Sequence, residues 1–263
     1  MNSKKFVHPD SLGNTWGIVS AEQLWANVYA IKYNRPERKL TEEQWIGLLT
    51  QAKSAAIDFG AESIETRIRL EYEAETFRNL FHRLGFHKKA GRIEYQCDVK
   101  DLPGEEETPI IWETAKTLNW DKGQIAQFTK DVVEGALDVD PNEKPEDFIQ
   151  DWLQHHEYTS GPECIAIGFQ NHQPCALAVV QINIESGWSR ISYMGLITSH
   201  RNKGLGKWVH RHGFTMMKEQ GGKLYHGGTH SENKAMRKLF ESHGCKVFCE
   251  MEEWAFSPAG RQS

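Results

Sequence analysis

Apolar residues recur along this chain at two spacings, and the order in which the spacings alternate predicts its architecture. Behind Thr41, an N-cap residue by type, Trp45, Leu48, Leu49, Ala52, Ala55 and Ala56 repeat at helical spacing until Phe59-Gly60 stops them. Ile64, Thr66, Ile68 and Leu70 then alternate, which predicts a strand over Ser63–Leu70. A second helix is expected over about Tyr72–Leu84, ended by Gly85, and another strand over Ile93–Val99. Before all of these, Trp16–Ser20 and Leu24–Tyr33 gather apolar residues without separating strand from helix, and Arg35–Thr41 reads as a loop.

The second half of the chain carries a longer series. Ile110–Glu113 reads as a strand, Gln124–Leu137 and Glu146–His155 as helices, and Ile165–Phe169 and Cys175–Ile184 as strands joined by the turn Asn171–Pro174. A strand over Trp188–Thr198 leads into the loop Arg201-x-x-Gly204-x-Gly206. A helix over Val209–Gln220 follows, closed by Gly221-Gly222; then come a strand over Lys223–Gly228, a helix opened by Asn233, and a last strand over Lys246–Phe256. Thr229 with Glu232 has the spacing of a capping box, which marks Glu232 as a structural cap more than a base.

Part of this series occurs twice. Arg78-x-Leu80-Phe81-x-x-x-Gly85 repeats as Arg237-x-Leu239-Phe240-x-x-x-Gly244 at a single offset of 159 residues, within the same order of elements. The polar segment Asp101–Pro109, with both Pro and Gly, is the best linker. Two domains are therefore expected, 1–104 and 105–263, the first either a degenerate partial copy of the second or an unrelated extension. The first has Arg35–Thr41 where the glycine loop should be and Ala74 where the second has Asn233.

Composition narrows the function. The 263 residues carry a net charge of −5, which argues against nucleic acid as a partner. The longest apolar run, Cys175–Val180, is far too short for a membrane span, and the start has no apolar region of a signal peptide. Five cysteines without a C-x-x-C pair indicate neither a disulfide framework nor zinc. His226-x-x-x-His230 has metal spacing, but two rings on a strand need not face alike; no metal is expected, and the cytoplasm is the default location. Eight acids against Lys144 crowd Asp131–Asp151, either a solvated face or an attraction for a cationic molecule.

The loop holds the chemistry. A strand that ends in a glycine-punctuated turn and opens directly into a helix gathers free backbone N–H groups and the positive end of the helix dipole, which suits phosphate. Gly204 and Gly206 let an anion approach the main chain, and Arg201, Lys203 and Lys207 add positive charge. A Walker loop is excluded because Trp208 follows Lys207, and a dinucleotide fingerprint because the third glycine is missing.

The string Leu196-Ile-Thr-Ser-His-Arg-Asn-Lys-Gly-Leu-Gly206, followed by Asn233-x-x-Met236-x-x-x-Phe240-x-x-x-Gly244, resembles the GNAT family of acyl-CoA-dependent N-acyltransferases over about Pro109–Phe256. The resemblance implies an α+β GNAT fold: a mixed, mostly antiparallel central sheet flanked by helices, complete in the C-terminal domain with a partial N-terminal repeat. It implies acetyl-CoA as acyl-donor substrate, with backbone groups near Leu196 and Thr198 meeting the pantetheine and Asn202, Lys203, Gly204, Leu205, Gly206 and Lys207 the pyrophosphate. Arg201 would add charge there, and Asn233 would reach the cofactor or a neighbouring strand. Many members place Tyr where this chain has Phe240, which has no proton to give a departing thiolate, so Tyr193, Tyr225 or solvent would have to serve.

Tyr193, His226 and Glu185 are the candidates for a base that deprotonates the attacking amine, with Tyr193 and His226 favoured as catalytic. The expected activity is acyl transfer to a small-molecule or peptide amine, such as a cationic polyamine, aminoglycoside or lysine-bearing peptide. A non-catalytic module that senses acyl-CoA is the alternative, and aminoacyl transfer of the peptidoglycan-bridge kind a third. The acceptor and the oligomeric state are not written in the sequence.

Overall fold

The computed structural model describes residues 3–9, 15–25, 28–34, 40–71, 74–104, 107–139 and 145–258. Much of the loop expected at Arg35–Thr41, two residues of the linker and residues 140–144 of the acidic stretch lie outside them. The chain divides into two compact units, Met1–Arg92 with Cys249–Ser263, and Ile93–Phe248. The divisions fall inside two strands and not at residue 104. The polar segment after Asp101 lies within the second unit.

The first unit begins with β1 (Ser3–Pro9), β2 (Thr15–Trp25) and β3 (Val28–Asn34), an antiparallel meander that the pattern of the first forty residues had not resolved. Helix α1 (Glu42–Asp58) then returns the chain to β4 (Ser63–Arg69), parallel to β3, and α2 (Ala74–Arg83) follows. Strand order is β1-β2-β3-β4-β11, where β11 (Lys246–Phe256) pairs antiparallel with β4 from Met251↔Arg69 to Phe256↔Ile64. The apolar stripe of α1 lies on Val19, Ala21, Ile31, Ile64 and Ile68, with Phe77, Leu80 and Phe81 of α2 beside it. Burial of that alternating strand face against a 3.6-residue stripe holds the unit together.

The second unit takes the end of β5 (His87–Asp98), then β6 (Ile111–Thr114), α3 (Lys122–Val133), α4 (Pro145–Leu153), β7 (Ile165–Gln170), β8 (Gln173–Ile182) and β9 (Trp188–Leu196). After these come α5 (Gly206–Glu219), β10 (Leu224–His230) and α6 (Lys234–Ser242). Strand order is β5-β10-β9-β8-β7-β6. Alternation along β8 sends Ala176, Ala178 and Val180 to the core under α5 and α6, and Leu177 and Val179 to the core under α3 and α4. The mixed, mostly antiparallel α/β sheet with flanking helices is thus present.

Several boundaries differ from the sequence pattern; β5 starts at His87 and not Ile93, and α5 at Gly206 and not Val209. Helix α3 ends at Val133 and not Leu137, because Gly135 turns at φ 67°. Strand β9 ends at Leu196, and Thr198 opens a short 3-10 turn.

Strand β5 follows α2 in the chain yet lies beside β10, whereas β11 follows α6 and lies beside β4. Each unit is therefore completed by the strand that the chain makes after the other unit's last helix. Helices α2 and α6, and strands β5 and β11, fall near the 159-residue offset seen in the sequence. Among the described residues the first unit has no counterpart of α3 or α4.

Candidate active site

Strands β9 and β10 run parallel, but only Trp188 and Ser189 pair with Leu224 and Tyr225. Beyond those pairs the two strands part, β9 continuing to Leu196 and β10 to His230. A bulge on β9 accompanies the divergence: Val180 pairs with Ile191 and Val179 with Tyr193, which leaves Ser192 as the extra residue. Bulges re-aim side chains, and this one does so. Before it, Ile191 points toward Gly213 of α5; after it, Tyr193 sits against Val132 and Trp152, on the α3–α4 side.

At the C-terminal end of β9 the chain passes through the glycine loop. Asn202 and Gly204 take the left-handed conformation, at φ 61° and 75°, and a Cβ built on Gly204 would meet nothing within 4 Å. Helix α5 starts on Leu205 without a side-chain cap. Among the described residues no acceptor takes the backbone N–H groups of Asn202, Lys203, Gly204, Leu205, Gly206 or Lys207. Asn202, Lys203, Gly204 and Lys207 are exposed, while Leu205 is buried and anchors the turn in the core. Unsatisfied N–H groups at a helix start, with no acid in the first turn, have the chemistry that suits an anion.

Arg201 is used differently from the expectation of loose positive charge. Its Nε donates to Leu196 O at 2.9 Å and its Nη2 to Val132 O at 2.8 Å, so it ties the end of β9 to the end of α3. Lys203 and Lys207 remain beside the turn, Lys207 with its Nζ 4.5 Å above the Trp208 ring. Thr198, expected to meet a ligand through its main chain, is exposed at the first position of the 3-10 turn.

A second anchor crosses the open end of the gap. Asp138, six residues beyond Val132, accepts hydrogen bonds from Thr229 Oγ1 (2.8 Å), His230 N (2.6 Å) and Asn233 Nδ2 (2.7 Å). The segment between these residues thus runs from the β9 side, where Arg201 holds it, to the β10 side. Asn233 also caps α6 through its Oδ1, which accepts from Met236 N at 3.1 Å. The capping box expected from Thr229 and Glu232 does not form, because Thr229 gives its hydroxyl to Asp138 and Asn233 takes the cap. Asp138 was not marked by any motif.

The two favoured catalytic residues have unequal surroundings. Burial raises the Tyr193 pKa well above its ordinary value, with Arg201 pulling the other way, and its hydroxyl donates to Val132 O at 3.5 Å. Such a phenol keeps its proton. His226 follows directly on the last paired residue of β10, is half-buried, and has Nε2 3.3 Å from Glu94 Oε2. The Trp188 ring lies 6.0 Å from it on the same face as Leu224. Glu185 is exposed on the turn between β8 and β9. Tyr225 is fully buried, and its hydroxyl lies 3.0 Å from His210 Nε2.

Phe240 is buried, stacked on Tyr95 at 4.5 Å. Successive glycines on β10 serve what lies beside them. A Cβ at Gly227 would fall 2.6 Å from the Tyr225 hydroxyl, and one at Gly228 2.5 Å from the Glu94 carboxylate. Glycine inside a strand signals such close approach, and Gly227-Gly228 was the one sequence signal that could have pointed to Glu94. Three of the acids described in the 131–151 stretch have partners within the unit: Gln127 donates to Asp131, Arg190 to Asp151, and Asp138 accepts as above. Among the described residues there is no cluster that could hold a metal ion, and no helix is long and apolar enough to cross a membrane.

Residues 128–245 match the model of the acetyltransferase (GNAT) family. Among solved structures, a GCN5-related N-acetyltransferase from Sphaerobacter thermophilus is similar at a TM-score of 0.73 and 14% identity, covering 95% of this chain and 79% of that one. A tandem GNAT protein from the clavulanic acid biosynthesis pathway matches at TM-score 0.64 and 10% identity over 100% of this chain and 84% of its own. A GCN5-related N-acetyltransferase from Kribbella flavida matches at 0.64 and 14%, over 98% and 91%. At these identities the likeness is one of fold. No protein of curated function matches the sequence.

Proposed function

On the premise that this chain belongs, through residues 128–245, to the acetyltransferase (GNAT) family, we propose that it is an acetyl-CoA-dependent N-acyltransferase. One observation carries the reading: β9 and β10 part after two residue pairs, and at the end where β9 stops, a run of uncapped N–H groups opens α5. An extended chain with amide groups fits between two strands that have released each other, and a diphosphate fits the turn at its head. Acetyl-CoA has both parts, and as acyl donor it would supply a thioester carbonyl.

The residues present divide the work. Asn202–Lys207 bind the diphosphate through main-chain nitrogens, with Lys203 and Lys207 adding charge. Leu196 offers main-chain groups on the β9 edge, although its carbonyl already accepts from Arg201. An acceptor ammonium gives one proton to His226, and the amine nitrogen then bonds the acyl carbon while the carbon–sulfur bond breaks. The nitrogen's second proton reaches the thiolate through solvent, since Phe240 has none to give and the Tyr225 hydroxyl is buried. A thiolate of pKa about 8.5 leaves tolerably without help. The acceptor is an amine. A cationic one is not required, because Asp131, Asp138 and Asp151 already have partners.

Calorimetry with acetyl-CoA, followed by thiol release across an amine panel, tests the reading. Binding with release that depends on one class of amine is the expected result. Binding without release for any amine would favour a sensor of acyl-CoA, and absence of binding would remove both.

A further inference from the structure

We propose that Glu94 is the positioning residue for His226, its carboxylate set beside Nε2 so that it fixes the imidazole at the mouth of the strand gap; this rests on the acyltransferase reading above. Glu94 lies on β5, in the second unit, and its side chain is only 7% exposed. A buried carboxylate is costly unless it is paired. Two features bear on this one. His226 Nε2 stands 3.3 Å from Glu94 Oε2, an ion-pair separation that falls outside hydrogen-bond alignment, and β10 carries no side chain at Gly228, where a Cβ would fall 2.5 Å from both carboxylate oxygens. The strand has given up a side chain so that a carboxylate can lie flat against it, beside the ring that opens the gap.

Two rings also approach His226. Trp188 on β9 approaches at 6.0 Å and Phe248 on β11 at 5.7 Å, both edge-on. They bound the imidazole sideways and the carboxylate bounds it at Nε2. Fixing one ring nitrogen against a carboxylate sets the tautomer and orients a base, and a carboxylate at that distance stabilises the imidazolium formed when the amine loses its proton. Glu94 thus acts through His226 and need not touch substrate.

The test separates this inference from the function it rests on. Nitrogen-15 spectra of histidine-labelled protein, with the His226 signal assigned by its disappearance in His226→Gln, read the tautomer directly and need no activity. The Nε2–H tautomer is expected; the Nδ1–H tautomer, or an even mixture, overturns the pairing. In the active enzyme, Glu94→Gln should lower kcat about tenfold or more with KM for acetyl-CoA unchanged, and Glu94→Asp should recover part of it. An unchanged kcat in Glu94→Gln overturns the positioning role. If Glu94→Gln fails to fold by thermal melting, the wild-type tautomer still decides. If wild-type protein releases no thiol with any amine, the function falls while the spectrum continues to judge the pair.

Discussion

In the first unit β3 and β4 run parallel for three residue pairs before they part, and in the second β9 and β10 do so for two. What happens beyond the last pair differs. Across the first gap, Thr66 Oγ1 donates to Ile31 O at 2.9 Å and Tyr33 Oη to Arg67 O at 3.1 Å, so side chains take the carbonyls that the strands no longer share. Across the second, the carbonyl of Leu196 is taken by Arg201 from the strand's own end, and Asp138 ties down the far corner. The helix starts differ in the same sense. Helix α1 opens on a capping box between Thr41 and Gln44, which occupies N–H groups of its start, whereas α5 begins without a side-chain cap. One gap is stitched and capped by its own residues; at the other the helix start has no side-chain cap.

The largest effect should come from the clamp that keeps the second gap apart. Arg201→Ala removes two charge-assisted hydrogen bonds, to Leu196 O and Val132 O, and should cost about 3 kcal/mol in denaturant unfolding. It should also weaken acetyl-CoA binding, because both the strand end and the segment leading to Asp138 lose their anchor. A variant of wild-type stability would mean that Arg201 is held there by packing alone.

Next comes the exchanged last strand. Arg78 and Arg237 occupy matching places, but Arg237 donates to Ser231 O, whereas Arg78 meets Glu252 on β11 through Nε at 2.9 Å. Burial pulls the Glu252 pKa up, and hydrogen bonds from Arg78, Lys88 and Trp254 outweigh it, leaving about 2. A carboxylate with a depressed pKa stabilises the fold above its ordinary value of 4.5 and ceases to do so as pH falls toward 2. Glu252→Gln should therefore cost on the order of 2 kcal/mol at neutral pH, allowing for solvent around Arg78 and Lys88. The difference from wild type should shrink between pH 4.5 and 2 in acid denaturation. A pH-independent difference would place the effect in packing.

How much of this was legible beforehand depends on whether a residue speaks to its own neighbours in the chain. Trp45 to Ala56, the alternation of Ile64 to Leu70, and the Gly204–Gly206 turn are local statements, and each is found where its spacing put it. The first three strands were ambiguous, since short apolar clusters do not distinguish strand from helix. The exchange of β5 and β11 was illegible because strand neighbours are chosen by pairing and not by chain order. The roles of Asp138 and Glu94 depend on partners 91 and 132 residues away, Thr229 and His226. Thr229–Glu232 failed as a capping box for the same reason: a distant carboxylate competed for the hydroxyl.

The third prediction addresses the loop itself. Gly204 has φ 75° and open space around it, so a β-branched residue meets no neighbour but strains the backbone that aims the N–H groups. Gly204→Val should raise the acetyl-CoA dissociation constant at least tenfold, about 1.4 kcal/mol or more. Unchanged affinity in calorimetry would count heavily against the turn as the diphosphate site.

The smallest effect is the most exact probe of the contrast between the two helix starts. Thr41 Oγ1 accepts from Gln44 N at 3.3 Å while Gln44 Oε1 accepts from Thr41 N at 2.8 Å. Thr41→Ala breaks half of this reciprocal pair and should cost about 1 kcal/mol of stability, measured by thermal unfolding. Because α1 occupies those N–H groups itself, acetyl-CoA affinity should not change. Were the affinity to fall with Thr41→Ala while Gly204→Val left it intact, the two helix starts would have to exchange roles, and the stitched gap, not the open one, would be the place to look for the ligand.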